Sequence, residues 1–454
     1  MRSGVRVQHV DLSHCIDAVR KSEPLRVYGK IVEITGLLIK ATGLSVRIGE
    51  ACEISSDDGP PVKAEVVGFR DGKALLMAIG DLSRIKLGSR VHSVGKKVFV
   101  RVGPKLVGRI IDGMGNPMDG KGPLRGVEYP LYGVSPDPLT RRRIMEPIDL
   151  GIRAINGLLT CGKGQRIGIM AGPGVGKSVL LGMIAKYTDA SVNVIALTGE
   201  RGREVREFIE RNLGEEGMRK SVLVVATSEQ PALMKLRAAF TATAIADYFR
   251  DRGKDVLLFM DSLTRVAMAQ REIGLALGEP PTTKGYTPSL TVILSKLLER
   301  AGTTEGKGSI TGLYTVLVEG DDLSDPVADA SMAILDGHIV LSRDLAVENQ
   351  YPAIDILRSI SRVMPDIVEP THKDAAGRFT ELLATYRKHE DMITIGAYKE
   401  GTNPKVDRAI RKVDLLKGYL RQGMDERRDF RESVAQLHQL FREEARDEQA
   451  RNDR

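Results

Sequence analysis

Residues 171–178 read AGPGVGKS, which matches the phosphate-binding pattern G-x-x-x-x-G-K-[ST] except that Ala171 replaces its first glycine. The segment follows the apolar run RIGIM and leads into the helical pattern SVLLGMIAKY. Glycines let backbone N–H groups turn toward an anion, and a helix N-terminus adds a positive dipole end. The stretch therefore predicts a nucleotide site in which Lys177 contacts the β- and γ-phosphates and Ser178 ligates Mg²⁺. The predicted nucleotide contacts are Gly172, Pro173, Gly174, Val175, Gly176, Lys177, Ser178 and Val179.

Two acidic residues follow apolar, strand-like runs elsewhere in the chain. Asp261 ends the run VLLFMD, and ligands of α/β sheets bind at the carboxyl ends of strands, so we expect Asp261 to help hold the metal. The competing interpretation of Asp261 is a helix cap. Glu200 follows VIALT and would lie beside the γ-phosphate, orienting a water, if its strand neighbours the strand of the phosphate loop. The spacing alone equally allows Glu200 to stabilise the next helix through its dipole.

The elements that would position these residues lie between 96 and 372, where apolar strand-like runs alternate with helical patterns. Such alternation indicates an α/β fold with a parallel sheet covered on both faces. The strand-like runs lie at 166–170, 194–198, 222–226, 256–260 and 312–318, and helical patterns lie at 202–213, 230–249 and 289–301.

The flanking regions have a different texture. Residues 25–95 contain short β-rich runs separated by turn residues about every ten positions, which indicates a small β-barrel or sandwich. The last eighty residues are polar and helix-like. We therefore predict four parts: a segment at 1–24, the β-domain at 25–95, an ATPase domain at 96–372 and a helical domain at 373–454.

Both ends of the chain carry apolar stripes at helical spacing. In the first segment the stripe predicts a short amphipathic helix, which is too short to be stable without a surface to dock on. In the last helix the stripe either covers its own domain or binds a partner. The stripe residues are Leu12, Cys15, Ile16 and Val19 at the start, and Val434, Leu437, Leu440 and Phe441 at the end.

Composition limits the function classes. The formal net charge is +7 from 67 basic and 60 acidic residues, which permits an acidic partner, nucleic acid or an anionic membrane surface but requires none. Three cysteines far apart predict reduced thiols in a cytoplasm rather than a disulfide framework. The sequence shows no signal peptide, and no apolar run approaches the roughly 18 residues needed to span a bilayer. Any membrane association is therefore expected to be peripheral or through a partner.

Long segments of the chain are similar to one known family. They include VGRIIDGMGNPMDGKGPL, GIRAINGLLTCGKGQRIGIMAGPGVGKS, DSLTRVAMAQREIGLALGEPPTTKGYTPS, the stretch from GSITGLYTVLVEGDD to GHIVLSR, and YPAIDILRSISRVM. Over about 25–400 the chain resembles the ATPases of type III protein export, specifically the flagellar export ATPase. That family is similar to the catalytic subunit of F-type ATP synthase. The resemblance implies a RecA-like P-loop NTPase core with an N-terminal β-barrel and a C-terminal helical domain, assembled as a homohexamer.

The resemblance assigns further catalytic residues. GERGR resembles the family's catalytic-carboxylate motif, which implies that Glu200 is catalytic with Arg201 beside it. Arg265 of DSLTR matches an arginine near the γ-phosphate. SISRVM resembles the segment that presents an arginine finger, so Arg362 should reach into the neighbouring subunit's site.

The resemblance also implies how the adenine is held. Tyr351 of YPAID matches the aromatic that stacks on the base, and Tyr419 of GYLRQ would form a second wall. Two departures from the family pattern stand out. Pro173 replaces the usual serine of the loop and has no N–H to donate, although it stiffens the loop. The stretch KGYTPS replaces KGYPPS and is followed by Leu290, where Phe or Val is frequent, so contacts facing the pore could differ.

The function implied is hydrolysis of Mg²⁺–ATP to promote release of export chaperones and delivery of substrates to a membrane export gate. The implied partners are a stator-like regulator at the N-terminal segment, a stalk protein in the central pore, and export chaperones at the C-terminal domain. The protein would be cytoplasmic and peripherally associated with the inner membrane. The nearest alternative is the ATPase of a virulence injectisome.

Two alternatives come from other classes. A hexameric nucleic-acid translocase would need base-stacking aromatics, yet residues 25–95 contain only Tyr28 and Phe69 and the chain has no tryptophan, so no nucleic-acid partner is expected. A non-catalytic rotary subunit would lack the carboxylate, whereas both Glu200 and Arg362 are present here.

Overall fold

The structure is a computed structural model that describes Leu12 and residues 27–57, 59–318 and 322–442. Leu12 apart, the amphipathic helix predicted within residues 1–24 lies outside the described residues, as does the charged end after residue 442. The chain divides into two compact units, Met1–Lys97 and Val98–Arg454. No helix within the described residues is long and apolar enough to cross a membrane.

The first unit is a closed barrel of six antiparallel strands, which is the first of the two architectures predicted for this region. The strands are β1 (Gly29–Thr35), β2 (Leu38–Thr42), β3 (Glu50–Ile54), β4 (Val62–Arg70), β5 (Lys73–Ala78) and β6 (Arg90–Lys97). They follow one another around the barrel in the order β1, β2, β5, β4, β3, β6. Side chains alternate along the strands, and Ile39, Ile54 and Leu76 fill the interior with no exposed surface.

The second unit is built on a nine-stranded, mainly parallel sheet. Its strands are β8 (Ile110–Asp112), β10 (Arg166–Ala171), β11 (Val192–Glu200), β12 (Ser221–Thr227), β13 (Asp255–Asp261), β14 (Gly302–Thr303), β15 (Ser309–Leu317), β16 (Gly337–Leu341) and β17 (Ile354–Ser361). The order across the sheet is β17, β16, β10, β15, β13, β11, β12, β8, and β14 pairs with β15. A separate ribbon joins β7 (Phe99–Val102) to β9 (Val127–Pro130). The central strands are buried along almost their whole length because helices cover both faces.

Helices follow most of these strands. They are α1 (Arg153–Leu158), α2 (Lys177–Tyr187), α3 (Gly202–Glu207), α4 (Gly214–Met218), α5 (Ala232–Arg250), α6 (Leu263–Ala276), α7 (Ser289–Leu298), α8 (Pro326–Ile334), α9 (Arg343–Val347), α10 (Met364–Ile367), α11 (Pro370–Thr394), α12 (Pro404–Leu420) and α13 (Phe430–Gln439). Single 3₁₀ turns occur at Leu82–Arg84, Pro104–Leu106, Pro138–Thr140 and Thr283–Gly285. The helix predicted at 202–213 begins as α3 and continues as a π-helical turn over Phe208–Leu213.

The five strands expected from apolar runs are all present. The condition attached to Glu200 is not met, however, because β11 is not a neighbour of the phosphate-loop strand β10. The strands β15 and β13 lie between them, and each pairs in parallel with the next. The two long apolar runs that separate β10 from β11 in space come later in the sequence, so spacing along the chain could not reveal this order.

The last helices pack on the sheet domain through a common core. Phe379 of α11, Leu416 of α12 and Leu437 of α13 have no exposed surface. Phe441 is 5% exposed and belongs to the same core, so the apolar stripe of the last helix covers its own domain. On the facing side, Arg153 of α1 donates from Nε to the carbonyl oxygen of Tyr419 at 2.6 Å.

Candidate active site

The phosphate loop connects β10 to α2 through a backbone that only glycine adopts readily. Gly174 and Gly176 have φ angles of 79° and 86°, in the left-handed region, and Gly176 caps the N-terminus of α2. Pro173 and Gly174 are exposed at the tip of the loop. Ala171 is fully buried as the last residue of β10, where a small side chain fits. The loop therefore presents N–H groups and a helix N-terminus to an anion, as the sequence predicts.

Lys177 stands between two carboxylates. Its Nζ lies 2.5 Å from Oδ1 of Asp261 and 3.5 Å from Oε1 of Glu200. Asp261 is almost fully buried at the end of β13, and its Oδ1 also accepts a hydrogen bond of 2.7 Å from the Thr315 hydroxyl. Burial alone would lower the pKa of Lys177, but Asp261 and Glu200 raise it above the ordinary value. The ammonium is thus held charged at the mouth of the phosphate loop.

A β-bulge directs Glu200 toward this cluster. The register between β11 and β12 shifts between Thr198 and Glu200, and Gly199 at the shift has a φ of 75°. Because side chains alternate along a strand, one extra residue redirects the next side chain. A Cβ on Gly199 would lie 2.8 Å from Cβ of Arg265, so the bulge also requires glycine for space. The bulge explains how Glu200 reaches Lys177 from a strand that is not adjacent to β10.

The Glu200 carboxyl has an unusual affinity for protons. Burial raises its pKa to about 7, with further raising effects from the charge of Asp261 and from Glu204, while Lys177 opposes the shift. The pKa of Glu204 is lowered, first by its hydrogen bond with Glu200. A carboxylate with a pKa near neutrality is matched to orienting and partly deprotonating a water.

The pH dependence of turnover should report this group. The carboxylate must be ionised to act on water, so kcat/KM for Mg²⁺–ATP is expected to rise with pH and level off above about 7. Glu204 contributes to the raised pKa, so Glu204→Gln should move the rising limb to lower pH. Both proteins use the same substrate, whose own titration therefore cancels in the comparison. Superimposable profiles of the two proteins would contradict this assignment.

The residues proposed for the metal fit Mg²⁺. No group of three or more His, Cys, Asp or Glu side chains among the described residues could hold a metal ion by itself. Mg²⁺ usually keeps several waters and is bound by one or two protein oxygens together with substrate phosphates. The Ser178 hydroxyl at the first turn of α2 and the Asp261 carboxylate are donors of that kind. Ser178 and Asp261 would hold Mg²⁺ there, and the metal would supply neutralisation of the phosphate charge.

Next to the phosphate loop lies an apolar cavity of about 340 Å³. Its walls include Val179, Met183, Tyr351 and Gln422. Tyr351 is 44% exposed, and a Cβ on Gly176 would lie 3.5 Å from its ring, so the aromatic stands directly over the start of α2. A flat apolar cleft beside a phosphate site suits a nucleotide base.

Tyr419 does not line this cavity, so its role as a second adenine wall needs correction. Its ring is 5% exposed and packs at 5.5 Å from the Phe379 ring, and its hydroxyl donates to the Ser433 carbonyl at 2.9 Å. Tyr419 lies on the inward face of α12. The cavity is instead lined by the turn after that helix, from Gln422 to Met424.

The other arginines predicted to be catalytic lie at different distances from the cluster. Arg265 follows Asp261 by four residues, packs against Gly199 and lines a second cavity of about 390 Å³ beside the bulge. Its Nε is buried without a hydrogen-bond partner among the described residues, and its Nη1 donates to Sδ of Met268 at 3.7 Å. Arg201 points outward: its side chain is 74% exposed and pairs with Glu204 at 3.2 Å. The structure therefore brings Arg265, but not Arg201, to the bulge.

Arg362 lies at the opposite edge of the sheet from the phosphate loop. Gly337 of β16 pairs with Ser361, whereas Ala171 of β10 pairs with Leu341 at the other end of β16. The strand β10 is about 20 Å long, since a strand rises roughly 3.3 Å per residue. Arg362 is exposed at the edge where β10 begins, so it cannot act on phosphates bound where β10 ends.

Sequence reasoning missed two contributors. Thr315 on β15 donates to Asp261, and the turn from Gln422 to Met424 closes the base cavity. Thr315 is one of four residues with a buried hydroxyl on β15, together with Ser309, Thr311 and Tyr314, so no local pattern singles it out. The backbone N–H of Gln422 donates to the Tyr351 carbonyl at 2.8 Å, a contact between residues 71 positions apart that no local pattern reveals.

Comparison with known proteins agrees with this geometry. Residues 151–361 match the ATP synthase alpha/beta family, nucleotide-binding domain; residues 31–95 match the beta-barrel domain of the same family; and residues 368–439 match the T3SS EscN ATPase C-terminal domain. The flagellum-specific ATP synthase of Bacillus subtilis is 54% identical over 428 residues, which cover 94% of this chain and 98% of that relative. The type 3 secretion system ATPase of Xanthomonas euvesicatoria is 51% identical over 403 residues, covering 88% and 91%.

The chain belongs to the family of flagellar and type III secretion ATPases. The resemblance noted in the sequence is thereby confirmed, as is the fold it implied: barrel, RecA-like core and helical domain. Among solved structures, the assembled ATPase EscN from the enteropathogenic E. coli type III secretion system has a TM-score of 0.86 and 47% identity, covering 91% of this chain and 99% of EscN. EscN in complex with its central stalk EscO gives a TM-score of 0.84 and 46% identity. As a family member, the chain is an ATPase whose nucleotide-binding domain contains the site described above.

Proposed function

We propose that this chain is the ATPase of a flagellar protein export apparatus and hydrolyses ATP at the subunit interfaces of a homohexamer. The observation that carries the proposal is the position of Arg362, exposed at the sheet edge opposite its own phosphate loop. A ring of head-to-tail contacts lets each copy give Arg362 to one neighbour and receive it from the other.

Within one subunit, each residue of the site has a distinct task. The glycine N–H groups and Lys177 bind the β- and γ-phosphates. When ATP binds, the Lys177 ammonium exchanges its contacts with Asp261 and Glu200 for contacts with the phosphates. Glu200 orients the attacking water and accepts its proton. Ser178 and Asp261 would hold Mg²⁺, which supplies charge neutralisation on the phosphates. Arg265 lies close enough to the bulge to contact the γ-phosphoryl group, while Tyr351 and the turn from Gln422 to Met424 enclose the base.

The neighbouring subunit completes the site. Negative charge spreads over the γ-phosphoryl oxygens in the transition state, and the guanidinium of the neighbour's Arg362 stabilises that charge. The protein groups surrounding the phosphates would then be fully assembled only when the two subunits close together. Hydrolysis would in this way be coupled to movement of one subunit against the next.

The work performed would be release of export chaperones and delivery of substrates to the membrane export gate. Support comes from the C-terminal helices, which match the C-terminal domain of EscN, and from EscN's solved complex with a central stalk. We extend to this chain a stalk partner, a stator-like regulator at residues 1–24, and a cytoplasmic location with peripheral attachment to the inner membrane.

The ATPase of a virulence injectisome is the second candidate. The observation in its favour is that a type 3 secretion system ATPase is nearly as similar as the flagellar relative, at 51% against 54% identity. Deleting the gene and replacing it with wild-type or Lys177→Ala copies separates the two. Loss of flagellar filaments that only the wild-type copy restores supports the flagellar assignment, whereas loss of needle-dependent secretion with intact filaments supports the injectisome.

Turnover per subunit is expected to depend on protein concentration. A lone subunit lacks the neighbour's Arg362, so specific ATPase activity should fall steeply as the ring dissociates on dilution. The measurement is phosphate release per subunit across a dilution series, with the oligomer distribution determined in parallel. Constant specific activity in samples proven to be monomeric would contradict an interfacial site.

A further inference from the structure

The turn that presents Arg362 is held by hydrogen bonds to the segment just before β16. The backbone N–H of Arg362 donates to the Asp336 carbonyl at 3.0 Å, and its Nη1 donates to the Leu335 carbonyl at 3.4 Å. Both acceptors lie in the turn that leads into β16. One bond therefore fixes the backbone of Arg362 and the other fixes its guanidinium, and both acceptors belong to one short segment.

Gln165 lies beneath that segment and connects it to Ser361. Its side chain has no exposed surface. Its Nε2 donates to the Asp336 carbonyl at 3.1 Å and to the Ser361 hydroxyl at 3.0 Å, while its Oε1 accepts from the Gly162 N–H at 2.8 Å. All hydrogen-bonding capacity of the Gln165 donors is thus directed at the two residues that bracket the root of Arg362.

The partners of Gln165 are themselves fixed. The Ser361 hydroxyl donates to the Thr160 carbonyl at 2.8 Å, and the N–H of Met364 donates to it at 3.3 Å. The Asp336 carboxylate accepts three hydrogen bonds of 3.0 Å from the backbone N, Nε and Nη2 of Arg166. The buried side chain of Gln165 is central to this arrangement, because its one amide nitrogen contacts both Asp336 and Ser361.

Close packing reinforces the same place. Gly337 has a φ of 152°, and a Cβ there would lie 2.3 Å from the Ile360 carbonyl oxygen. The strands β16 and β17 can therefore approach as they do only with glycine at this position. A buried amide and a glycine contact together leave the Arg362 turn little freedom to move sideways.

We propose that Gln165 is a positioning residue for the arginine finger: it sets the direction of Arg362 toward the neighbouring subunit by clamping Asp336 and Ser361. The proposal rests on the proposed function, since it requires that Arg362 act in trans. Gln165 directly precedes β10, whose far end begins the phosphate loop. One strand thereby connects a subunit's own nucleotide to the guanidinium that it offers to its neighbour.

The first test is Gln165→Met, which keeps the length of the side chain and removes the amide. Small misplacements of a catalytic group typically cost up to 10²-fold in rate, so kcat should fall about 10- to 100-fold. KM for Mg²⁺–ATP and the oligomer distribution should change little, because the phosphate loop and base cavity are intact. The matched control is Gln270→Met, which removes another buried glutamine whose amide donates to a serine hydroxyl, Ser289, at 2.8 Å. It should retain wild-type turnover.

Rings assembled from two different variants show whether Gln165 acts on its own subunit's site or on the neighbour's site. A Gln165→Met subunit keeps its Glu200, and a Glu200→Gln subunit keeps a correctly held Arg362, so an interface of the two is complete. Co-assembled rings should be more active than the mean of the separate variants. Rings that combine Gln165→Met with Arg362→Ala should show no such gain, because neither subunit then offers a correctly held Arg362. Two outcomes would overturn the proposal. A gain in rings with Arg362→Ala would place the defect of Gln165→Met in its own site, and no gain with either variant would point to faulty folding.

Two further measurements keep the test decisive. Ser361→Ala removes one acceptor of the Gln165 amide with a smaller change in the core, and should reproduce the same direction of rescue with a smaller loss of kcat. Rings of Arg362→Ala with Glu200→Gln are the reference. If that reference pair fails to regain activity, the proposed function fails, whereas a working reference with no gain for Gln165→Met rejects only the positioning role.

Discussion

Replacing Arg362 by alanine is expected to lower turnover of ATP by about 10³- to 10⁵-fold, the range typical of arginine fingers. Nucleotide binding should persist, because the phosphate loop, Lys177 and the base cavity lie at the other edge of the sheet. Arg362→Lys should remain strongly impaired, since an ammonium lacks the planar fork that spans two phosphoryl oxygens. The measurements are steady-state phosphate release and binding of a fluorescent nucleotide.

The trans geometry gives this prediction a second, sharper form. Arg362→Ala and Glu200→Gln are each expected to be nearly inactive, yet rings formed at random from equal amounts contain about a quarter of interfaces with both groups intact. Activity regained on mixing is therefore expected. Arg358→Ala is the control, because it removes an equal charge from an exposed position on β17, the strand that leads into Arg362. Normal turnover by purified Arg362→Ala would exclude the finger role.

Replacing Lys177 by alanine is expected to reduce hydrolysis by at least about 10³-fold, the upper range for loss of one preorganised donor to a developing anion. The structure gives a reason beyond the lost phosphate contact. Asp261 and Glu200 would face each other without the ammonium that separates them, at 2.5 and 3.5 Å from its nitrogen. Binding of a triphosphate next to two unneutralised carboxylates would then be electrostatically unfavourable.

The pKa of Glu200 distinguishes loss of the Lys177 ammonium from unfolding of the variant. Lys177 lowers the pKa of Glu200, so its removal should raise that pKa further and displace any residual activity to higher pH. Lys186→Ala, at the last turn of the same helix, is the matched control and should behave as wild type. Phosphate release by Lys177→Ala at the wild-type rate would refute the whole assignment of the site.

The sequence revealed the elements of the fold because their signals are local. The apolar runs predicted all five central strands, and the glycine loop and its following helix lie between β10 and Tyr187 as the sequence indicated. The order of strands was not predictable from spacing. Glu200 lies on β11, which is separated from β10 by two other strands, and it reaches Lys177 through the bulge at Gly199. A bulge depends on pairing with another strand, so no local pattern carries it.

Contacts over long sequence distances account for the other differences. Tyr419 was assigned to the base because it stands in a family-like motif, yet its helix turns the ring into the core against Phe379. The turn from Gln422 to Met424 lines the cavity instead. The inward or outward direction of a side chain near a helix end depends on which partner helix it meets. That partner is separated from Tyr419 by some forty residues of sequence.

The six strands of the first unit form a closed circuit, so each of them has a partner on both sides. Proteins with unpaired outer strands risk uncontrolled association through backbone hydrogen bonds, and closure removes that hazard. For this chain, a contact that the barrel makes with another copy is not expected to add a strand to its sheet, so side chains and loops would make it. Such contacts can be tuned one residue at a time, and a concentrated stock of dissociated subunits should stay free of fibrillar by-products arising from this unit.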